Sequence, residues 1–458
     1  MPSLTFLGAA RTVTGSKYLL EFNGTHVLID AGLFQGLKEH RLRNWEEFPI
    51  PPESLDAVVL THAHLDHVGH LPRLVAQGYR GRVFCTAGTQ ELSRLVLPDS
   101  ARIQEEDARQ ANRHGYSKHS PALPLYTEPD AFRALTQFQP IGYNRPIEIV
   151  PGLTIEFHVA GHLLGSAFVI ARLANGPTIL FGGDLGRYGR PVLPDPEPMV
   201  SADVLLIEST YGDRDHAAED NGETLAAIVR ETVAAGGKVI VPAFAIGRVE
   251  EVLYWLRRLE MERRIPVLPV YVDSPMATSA LHYYTGRVVE LDPDMRPAQK
   301  GVSMFATTRF QAVASVQQSK EITASRQPAI VISSSGMATG GRVLHHLAAA
   351  LPHARNTVLF VGYQADGTRG RALTEGATAV RIHGEMVPAA ARIARIDSMS
   401  AHADRTEILR WLQTAPSAPG RVCLVHGEPQ PMDALKALVQ TRLGWSAYTP
   451  SYRESLPL

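Results

Sequence analysis

Along the first 210 residues, short apolar runs alternate with glycine-containing turns: SLTFLG, THVLIDAG, LDAVVLTH, GRVFCTAG, LTIEFHVAGH, PTILFGGD and ADVLLIES. Runs this short, closed by turn formers, predict strands of a largely buried sheet. Helices are predicted between some of them, over 68–77 and 89–113. The second ends in RIQEEDARQANRHG, a charged stretch that reads as a solvated helix face. YSKHSPALPLYTEPD, rich in proline and serine, predicts a loop or lid. From about residue 220 a second alternation begins: helix GETLAAIVRETVAAGG, strand KVIVPAF, helix GRVEEVLYWLRRLEMERR and strand VLPVYVDS. It continues with a long helical region to about 325, strand PAIVISSSG, helix GGRVLHHLAAAL, strand NTVLFVGY and the glycine-rich ADGTRGRALTEG. That alternation predicts a second α/β unit. After about 393 the strand-then-histidine pattern returns in RIARIDSMSAHAD and GRVCLVHGEP, so the chain is expected to come back to its first domain. The sequence shows no internal repeat, low-complexity tract or flexible linker.

Composition changes this picture little. At 458 residues the chain exceeds one ordinary core and matches roughly three domain-equivalents, which two large units, one of them split, would satisfy. With 45% hydrophobic and 20% charged residues it falls in the soluble globular range. No apolar run approaches the roughly 20 residues that span a bilayer, and MPSLTFLGAARTVTG lacks the basic start and long apolar stretch of a signal peptide. A cytoplasmic protein with no membrane partner is expected. Cys85 and Cys423, far apart and each inside an apolar run, are expected as buried thiols, so any metal must use nitrogen and oxygen ligands. A formal net charge of −1 does not advertise a polyanion partner, since nucleic-acid modules usually show a basic balance or stripe.

The candidate chemistry lies where apolar runs end. LTHAHLDHVGH places four histidines and an aspartate directly behind LDAVVL. In an extended segment residues two apart project to the same side, so His62 and His64 can meet one ion while Asp66 and His67 reach another from the turn. His70 falls outside this spacing and is expected to be a helix residue. Asp30, His162, Asp184, Glu208, His402 and His426 repeat the placement of a polar residue after an apolar strand, where open α/β sheets collect active-site groups. Taken singly, Asp30, Asp184 and His162 also read as ordinary turn residues. A carboxylate such as Asp184 can bridge two ions roughly 3.5–4 Å apart, a pair that activates water and clamps a phosphate.

THAHLDH (61–67), AGHLLGSA (160–167) and FGGDLGR (181–187) resemble the successive metal motifs of the metallo-β-lactamase superfamily. IESTYGDR around Glu208, SMSAHAD around His402 and LVHGEP around His426 resemble the three further motifs of its β-CASP nucleases. PAFAIGRVEE, VDSPMA, SSSGMATGGR and VGYQADGTRGR extend the resemblance over essentially the whole chain. It points to the bacterial and archaeal relatives of the endonuclease subunit of the cleavage and polyadenylation complex, and more distantly to ribonuclease J. The fold it implies is α/β, a four-layer αββα sandwich over 1–208 and 393–458 with an α/β β-CASP domain inserted over 209–392.

Carried over by position, the resemblance implies two zinc ions per chain, one held by His62, His64 and His162, the other by Asp66, His67 and His426, with Asp184 bridging. Manganese is the alternative, since imidazole and carboxylate suit both. Asp30 is expected to orient a ligand histidine from behind. His402 is expected as general acid with Glu208 as its orienting carboxylate, and Asp66 and Asp184 complete the catalytic set. A histidine at 426 favours RNA, expected to be single-stranded, because the DNA-acting branch tends to lack that ligand. No KH-type domains precede residue 1, so substrate selection is expected from the groove between the two units or from other proteins, and a second copy of the chain is kept as a candidate partner.

The insertion between Glu208 and His402 is long enough for a domain that caps the metal site. Its SSSGMATGGR, between a strand and a helix, reads either as an ordinary turn or as a phosphate cradle; the resemblance favours the cradle, with Ser334, Ser335, Gly336 and Thr339 in it. Arg248, Arg342, Arg369 and Arg371 sit in or beside such turns, and an arginine fork matches phosphate oxygens. The expectation is a zinc-dependent ribonuclease, endonucleolytic or 5′-exonucleolytic, in RNA processing or decay. A small-molecule hydrolase or DNA nuclease on the same scaffold, and an inactive RNA-binding scaffold, are the alternatives.

Overall fold

The computed structural model describes all residues except 1, 116, 219, 221, 296–302 and 366. The chain forms two compact units, one from Met1–Gly189, Pro194–Asp215 and His402–Leu458, the other from Arg190–Leu193 and His216–Ala401. The first contains β1 (Ser3–Phe6), β2 (Tyr18–Phe22), β3 (Thr25–Ile29), β4 (Ala57–Val59), β5 (Arg82–Cys85), β6 (Phe138–Pro140), β7 (Ile147–Val150), β8 (Leu153–Val159), β9 (Ala167–Leu173), β10 (Thr178–Phe181) and β11 (Val204–Glu208). The second contains β12 (Val239–Pro242), β13 (Pro269–Val272), β14 (Arg309–Ala312), β15 (Ile330–Ser333), β16 (Thr357–Phe360), β17 (Ala379–Ile382), β18 (Glu385–Pro388) and β19 (Arg392–Arg395). Then β20 (Arg421–Val425), β21 (Ala447–Tyr448) and β22 (Ser455–Pro457) return to the first.

In the first unit the strands make two sheets, ordered β22-β1-β2-β3-β4-β5-β6 and β21-β20-β11-β10-β9-β8-β7. Side chains of both meet in one core: Phe6, Leu20, Ile29 and Val59 from the first pack with Phe157, Val169, Phe181 and Leu206 from the second. The free face of the second sheet, with Phe168, Leu180 and Leu205, is covered by Trp411 and Ile408 of helix Arg405–Leu412 and by Met432, Leu435 and Val439 of helix Pro429–Leu443. Helices Leu71–Ala76, Ala87–His114 and Glu128–Leu135 pack together beside the first sheet. This is the αββα arrangement, with the two sheets packed face to face and helices on their outer sides. Cys85 and Cys423 are buried free thiols in it.

In the second unit β14-β13-β15-β12-β16-β19 form one sheet in which every pair is parallel, with β17 and β18 a separate antiparallel pair. Because β19 still pairs with β16, the return to the first unit falls at His402 and not at about 393. The long helical region expected up to 325 is interrupted. Helices Pro275–Gly286 and Val316–Ala324 flank β14, which pairs with β13. RFQA is too short and polar to read as a strand by itself, and the neighbouring edge decides it.

Two helix expectations also shift. The one over 68–77 divides at Gly69 and His70 into a single turn, Leu65–Val68, and Leu71–Ala76, whose Pro72 lacks the N–H needed to continue a helix. The one over 89–113 runs Ala87–His114, opened by the Thr86 side chain and closed by Gly115 at φ 64°. Glu128–Leu135 is a helix the apolar pattern does not show; a Thr127/Asp130 capping box starts it. Among the described residues no helix is long and apolar enough to cross a membrane.

Candidate metal centre

The ligand-type residues follow the carboxyl ends of β3, β4, β10, β11 and β20, and His162 lies in the turn joining β8 to β9. Parallel register explains the convergence of distant residues. Ile29 pairs with Val59, which brings Asp30 beside Thr61, and Glu208 pairs with Val425, which brings His426 beside Ser209.

Two groups result. Ligand atoms of His62, His64, His162 and Asp184 all lie within 4.8 Å of one another, and so do those of Asp66, His67 and His426. In the first group the Nδ1 of His64 is 3.1 Å from Nε2 of His62 and 3.2 Å from Nε2 of His162, while Oδ2 of Asp184 is 3.4 and 3.6 Å from those two Nε2 atoms. In the second, Oδ1 of Asp184 is 3.3 Å from Nε2 of His67 and 3.6 Å from Nδ1 of His426, and His426 Nε2 is 3.3 Å from Asp66 Oδ2. Each Asp184 oxygen thus faces a different group.

Residues around the groups set ring orientation. His67 Nδ1 donates to Asp30 Oδ2 at 2.7 Å, which leaves Nε2 aimed at Asp184. Asp30 is itself held by the Thr61 amide and hydroxyl, both at 2.8 Å. Ser166 Oγ accepts from the amides of His162 and Leu163 at 3.0 Å and so shapes the turn that carries His162. Gly32 is required by close approach: a Cβ there would sit 1.6 Å from the Asp66 carbonyl oxygen. Glu208, fully buried, accepts from the Leu185 amide at 2.6 Å and meets His402 Nδ1 at 2.9 Å. Thr210 reaches both Glu208 Oε2 and His426 Nδ1. His402 is anchored in turn by Ala403, whose amide donates to Leu185 O at 2.8 Å, and by the Asp404 capping box that opens helix Arg405–Leu412. Thr61, Ser166, Thr210 and Gly32 escaped the sequence reading, because single hydroxyls and glycines carry no spacing signal. His70 lies at the start of helix Leu71–Ala76, buried and away from both groups.

The electrostatics suit a cation. Burial, with His62 opposite, pulls His64 down to about 3, and burial also holds His62 and His162 low, so all three present neutral nitrogens. For Asp184 burial opposes the charge, but His426, His67 and His62 outweigh it and hold the carboxyl well below its usual range. At His67 burial is likewise outweighed, by Asp184 and Asp30, and its pKa rises well above the ordinary value. Burial disfavours the charged form of His402 as well, yet Glu208 lifts it to about 9.

Two observations test whether these residues fit a metal. Oδ1 of Asp184 is buried without a hydrogen-bond partner, a cost that a cation would remove. Imidazole nitrogens 3.1 and 3.2 Å apart match the roughly 3.3 Å between nitrogens that tetrahedral coordination at about 2.0–2.1 Å requires. The donor set fits.

The glycine-rich turn of the second unit is separate from these groups. Ser334 Oγ bonds Ser274 Oγ at 3.1 Å, Ser335 Oγ accepts from the Thr339 amide at 3.0 Å, and a Cβ on Gly336 would lie 2.8 Å from the Phe244 amide. Arg342 is held by Asp273 at 2.7 Å, and Arg369 donates to the carbonyls of Ala338 and Thr339. These six residues come together. Arg371 turns instead to Glu375 at 2.6 Å. Arg248 differs from these: it is buried at the start of helix Arg248–Met261, where its guanidinium is bound to Glu251 while Nε has no hydrogen-bond partner.

Comparison with known proteins agrees with this geometry. Residues 25–267 match the Beta-lactamase superfamily domain, 249–373 the Beta-Casp domain, and 386–450 the Zn-dependent metallo-hydrolase RNA specificity domain. The chain is 39% identical over 453 residues to "Ribonuclease TTHA0252" of Thermus thermophilus, covering 98% of this chain and 99% of that protein. It is 31% identical over 440 residues to "Transcription termination factor FttA" of Methanocaldococcus jannaschii, covering 93% and 67%. A solved protein of unknown function from Enterococcus faecalis aligns over 100% of both chains with a TM-score of 0.55 at 13% identity, a likeness of fold alone.

Proposed function

Since the chain belongs to the β-CASP family of metallo-β-lactamase-fold nucleases, we propose that it is a two-metal ribonuclease cutting single-stranded RNA in cytoplasmic RNA processing or decay. The observation that carries the two-metal reading is Asp184, whose two carboxylate oxygens face different ligand groups. The names of the relatives, a ribonuclease and transcription termination factors, and the RNA specificity domain supply the substrate class.

His62, His64 and His162 would hold one ion, Asp66, His67 and His426 the other, with Asp184 shared; such a pair would supply an activated water and charge neutralisation at the scissile phosphate. Zinc suits the nitrogen-rich donor set, and manganese is compatible with it. Asp30 keeps His67 presenting Nε2 through its bond to Nδ1. His402 delivers a proton to the leaving 3′-oxygen, and Glu208, on Nδ1, fixes which ring nitrogen faces the substrate. Ser334, Ser335, Gly336, Thr339, Arg342 and Arg369 contact RNA phosphates from the second unit.

Pure protein incubated with end-labelled RNA, duplex DNA and acyl esters, with and without chelator, tests the reading. Chelator-sensitive cleavage of RNA alone is expected, and the label tells internal from 5′-terminal cutting. RNA binding is expected to weaken with salt through counterion release. Ester or duplex DNA hydrolysis without RNA cleavage would overturn the proposal.

A further inference from the structure

In the second unit a cavity of about 350 Å³ opens beside the amino ends of β12 and β16, where helices Val316–Ala324 and Val343–Ala350 terminate. That volume lies in the range of small-molecule sites, about 300–1,000 Å³, and accommodates one nucleotide but not a strand. Its wall carries Lys238, Arg326, Arg355, His346 and His353 and no carboxylate. In a chain whose 45 basic and 46 acidic side chains nearly balance, this is a local segregation of positive charge.

Two of these side chains have assigned work. Lys238 Nζ donates to the carbonyls of Ile322 and Thr323 at the end of helix Val316–Ala324, and His346 sits between Asp273 at 2.7 Å and Thr323 at 3.0 Å. Lys238 thereby offsets the partial negative charge of that helix terminus. Arg326 and Arg355 differ. Both are exposed, and among the described residues neither has a carboxylate or hydrogen-bond partner. Burial lowers the Lys238 pKa, and the Arg355 charge lowers it further, which places the two cations near one another on this wall. Ala348, Ala349 and Pro352 give the cavity an apolar side.

We propose that this cavity is a binding site for a phosphate monoester of mononucleotide size. Arg326 and Arg355 hold the phosphate, whose dianionic tetrahedral oxygens suit guanidinium forks, and the organic part rests on Ala348, Ala349 and Pro352. The site belongs to the second unit alone and does not depend on the metal centre.

The test is calorimetric titration of the full chain with 5′-AMP, adenosine and inorganic phosphate, in chelator so that the metal centre takes no phosphate. Saturable one-to-one binding of 5′-AMP is expected, with adenosine far weaker. The double variant Arg326→Glu/Arg355→Glu, both positions exposed, should keep its melting temperature and bind at least about tenfold more weakly, the minimum worth of one charge-assisted contact; Arg326→Ala/Arg355→Ala serves if the first misfolds. Arg342→Ala should bind normally. Absence of saturable binding at millimolar 5′-AMP would overturn the proposal. So would loss of binding in Arg342→Ala, which would move the site to the glycine-rich turn. Inorganic phosphate binding as tightly as 5′-AMP would make the ligand free phosphate and overturn the monoester.

Discussion

His402 and Glu208 stand 194 positions apart in the chain, and Nδ1 of the first lies 2.9 Å from Oε2 of the second. His426 meets Asp66 across 360 positions at 3.3 Å. Both histidines follow apolar segments, but His402 turns Nδ1 to Glu208, with Asp184 farther off at 3.9 Å, while His426 sits among Asp66, His67 and Asp184. Replacing His402 by Ala should leave bound metal unchanged and lower turnover by roughly 10²–10⁴. Replacing His426 by Ala should deplete one ion, with activity partly recovered by added metal. Metal analysis beside single-turnover cleavage reads the contrast, and metal loss in the His402 variant would remove it from the general-acid role.

Asp30 is expected to act on an ion that it would not touch. Asp30→Asn keeps the shape but loses the charge that fixes His67 Nδ1–H. Affinity at the Asp66, His67, His426 group should fall by about 10–100-fold while the other group holds its ion. Competition with a graded chelator measures this, and equal weakening at both groups would contradict the assignment.

Gly32→Ala should damage the same group by a different route. Its Cβ would collide with the Asp66 carbonyl, which also accepts from the Ser16 amide at 2.8 Å. The backbone carrying Asp66 must move, at about 1–3 kcal/mol of stability. A lower melting temperature together with reduced metal content is expected; normal content would show that the turn adapts.

Glu250 predicts a pH dependence of stability that involves none of the ligand groups. It is fully buried in helix Arg248–Met261, and neither carboxylate oxygen has a hydrogen-bond partner. Burial pushes its pKa up to about 8, from an ordinary 4.5. Between those values the unfolded chain has lost the proton while the folded chain retains it, so stability falls as pH rises through that window and flattens above it. Glu250→Gln, neutral at every pH, should melt like the parent near pH 5 and a few degrees higher near pH 8. Parallel melting curves for the two proteins would refute the buried-acid account.

Eight of the first unit's strands were legible because their apolar runs end in turn formers, as in VVL before Thr61 and ILF before Gly182, whereas β2, β6, β7, β9, β21 and β22 were not. β14 was not, because RFQA becomes a strand only beside β13. The insertion's end was misplaced for the same reason: RIAR resembles a first-domain strand but pairs with β16. Among the site residues, His62, His64, Asp66 and His67 stand out by local spacing. Thr61, Ser166 and Thr210 do not, since a hydroxyl reveals its use only when its partner is in place.

By itself the sequence determined which residue types stand at the ends of which apolar segments, and therefore the donor set and the family, because strand burial and turn chemistry are local properties. Only the tertiary structure decided how those ends combine. Parallel register sets Glu208 beside Val425 and Ile29 beside Val59, and from this follow the separate oxygens of Asp184 and the pairing of His402 with Glu208. The same long-range packing buried Arg248 and left Arg326 and Arg355 on a cavity wall, since a side chain's surroundings depend on segments that one-dimensional spacing does not bring together.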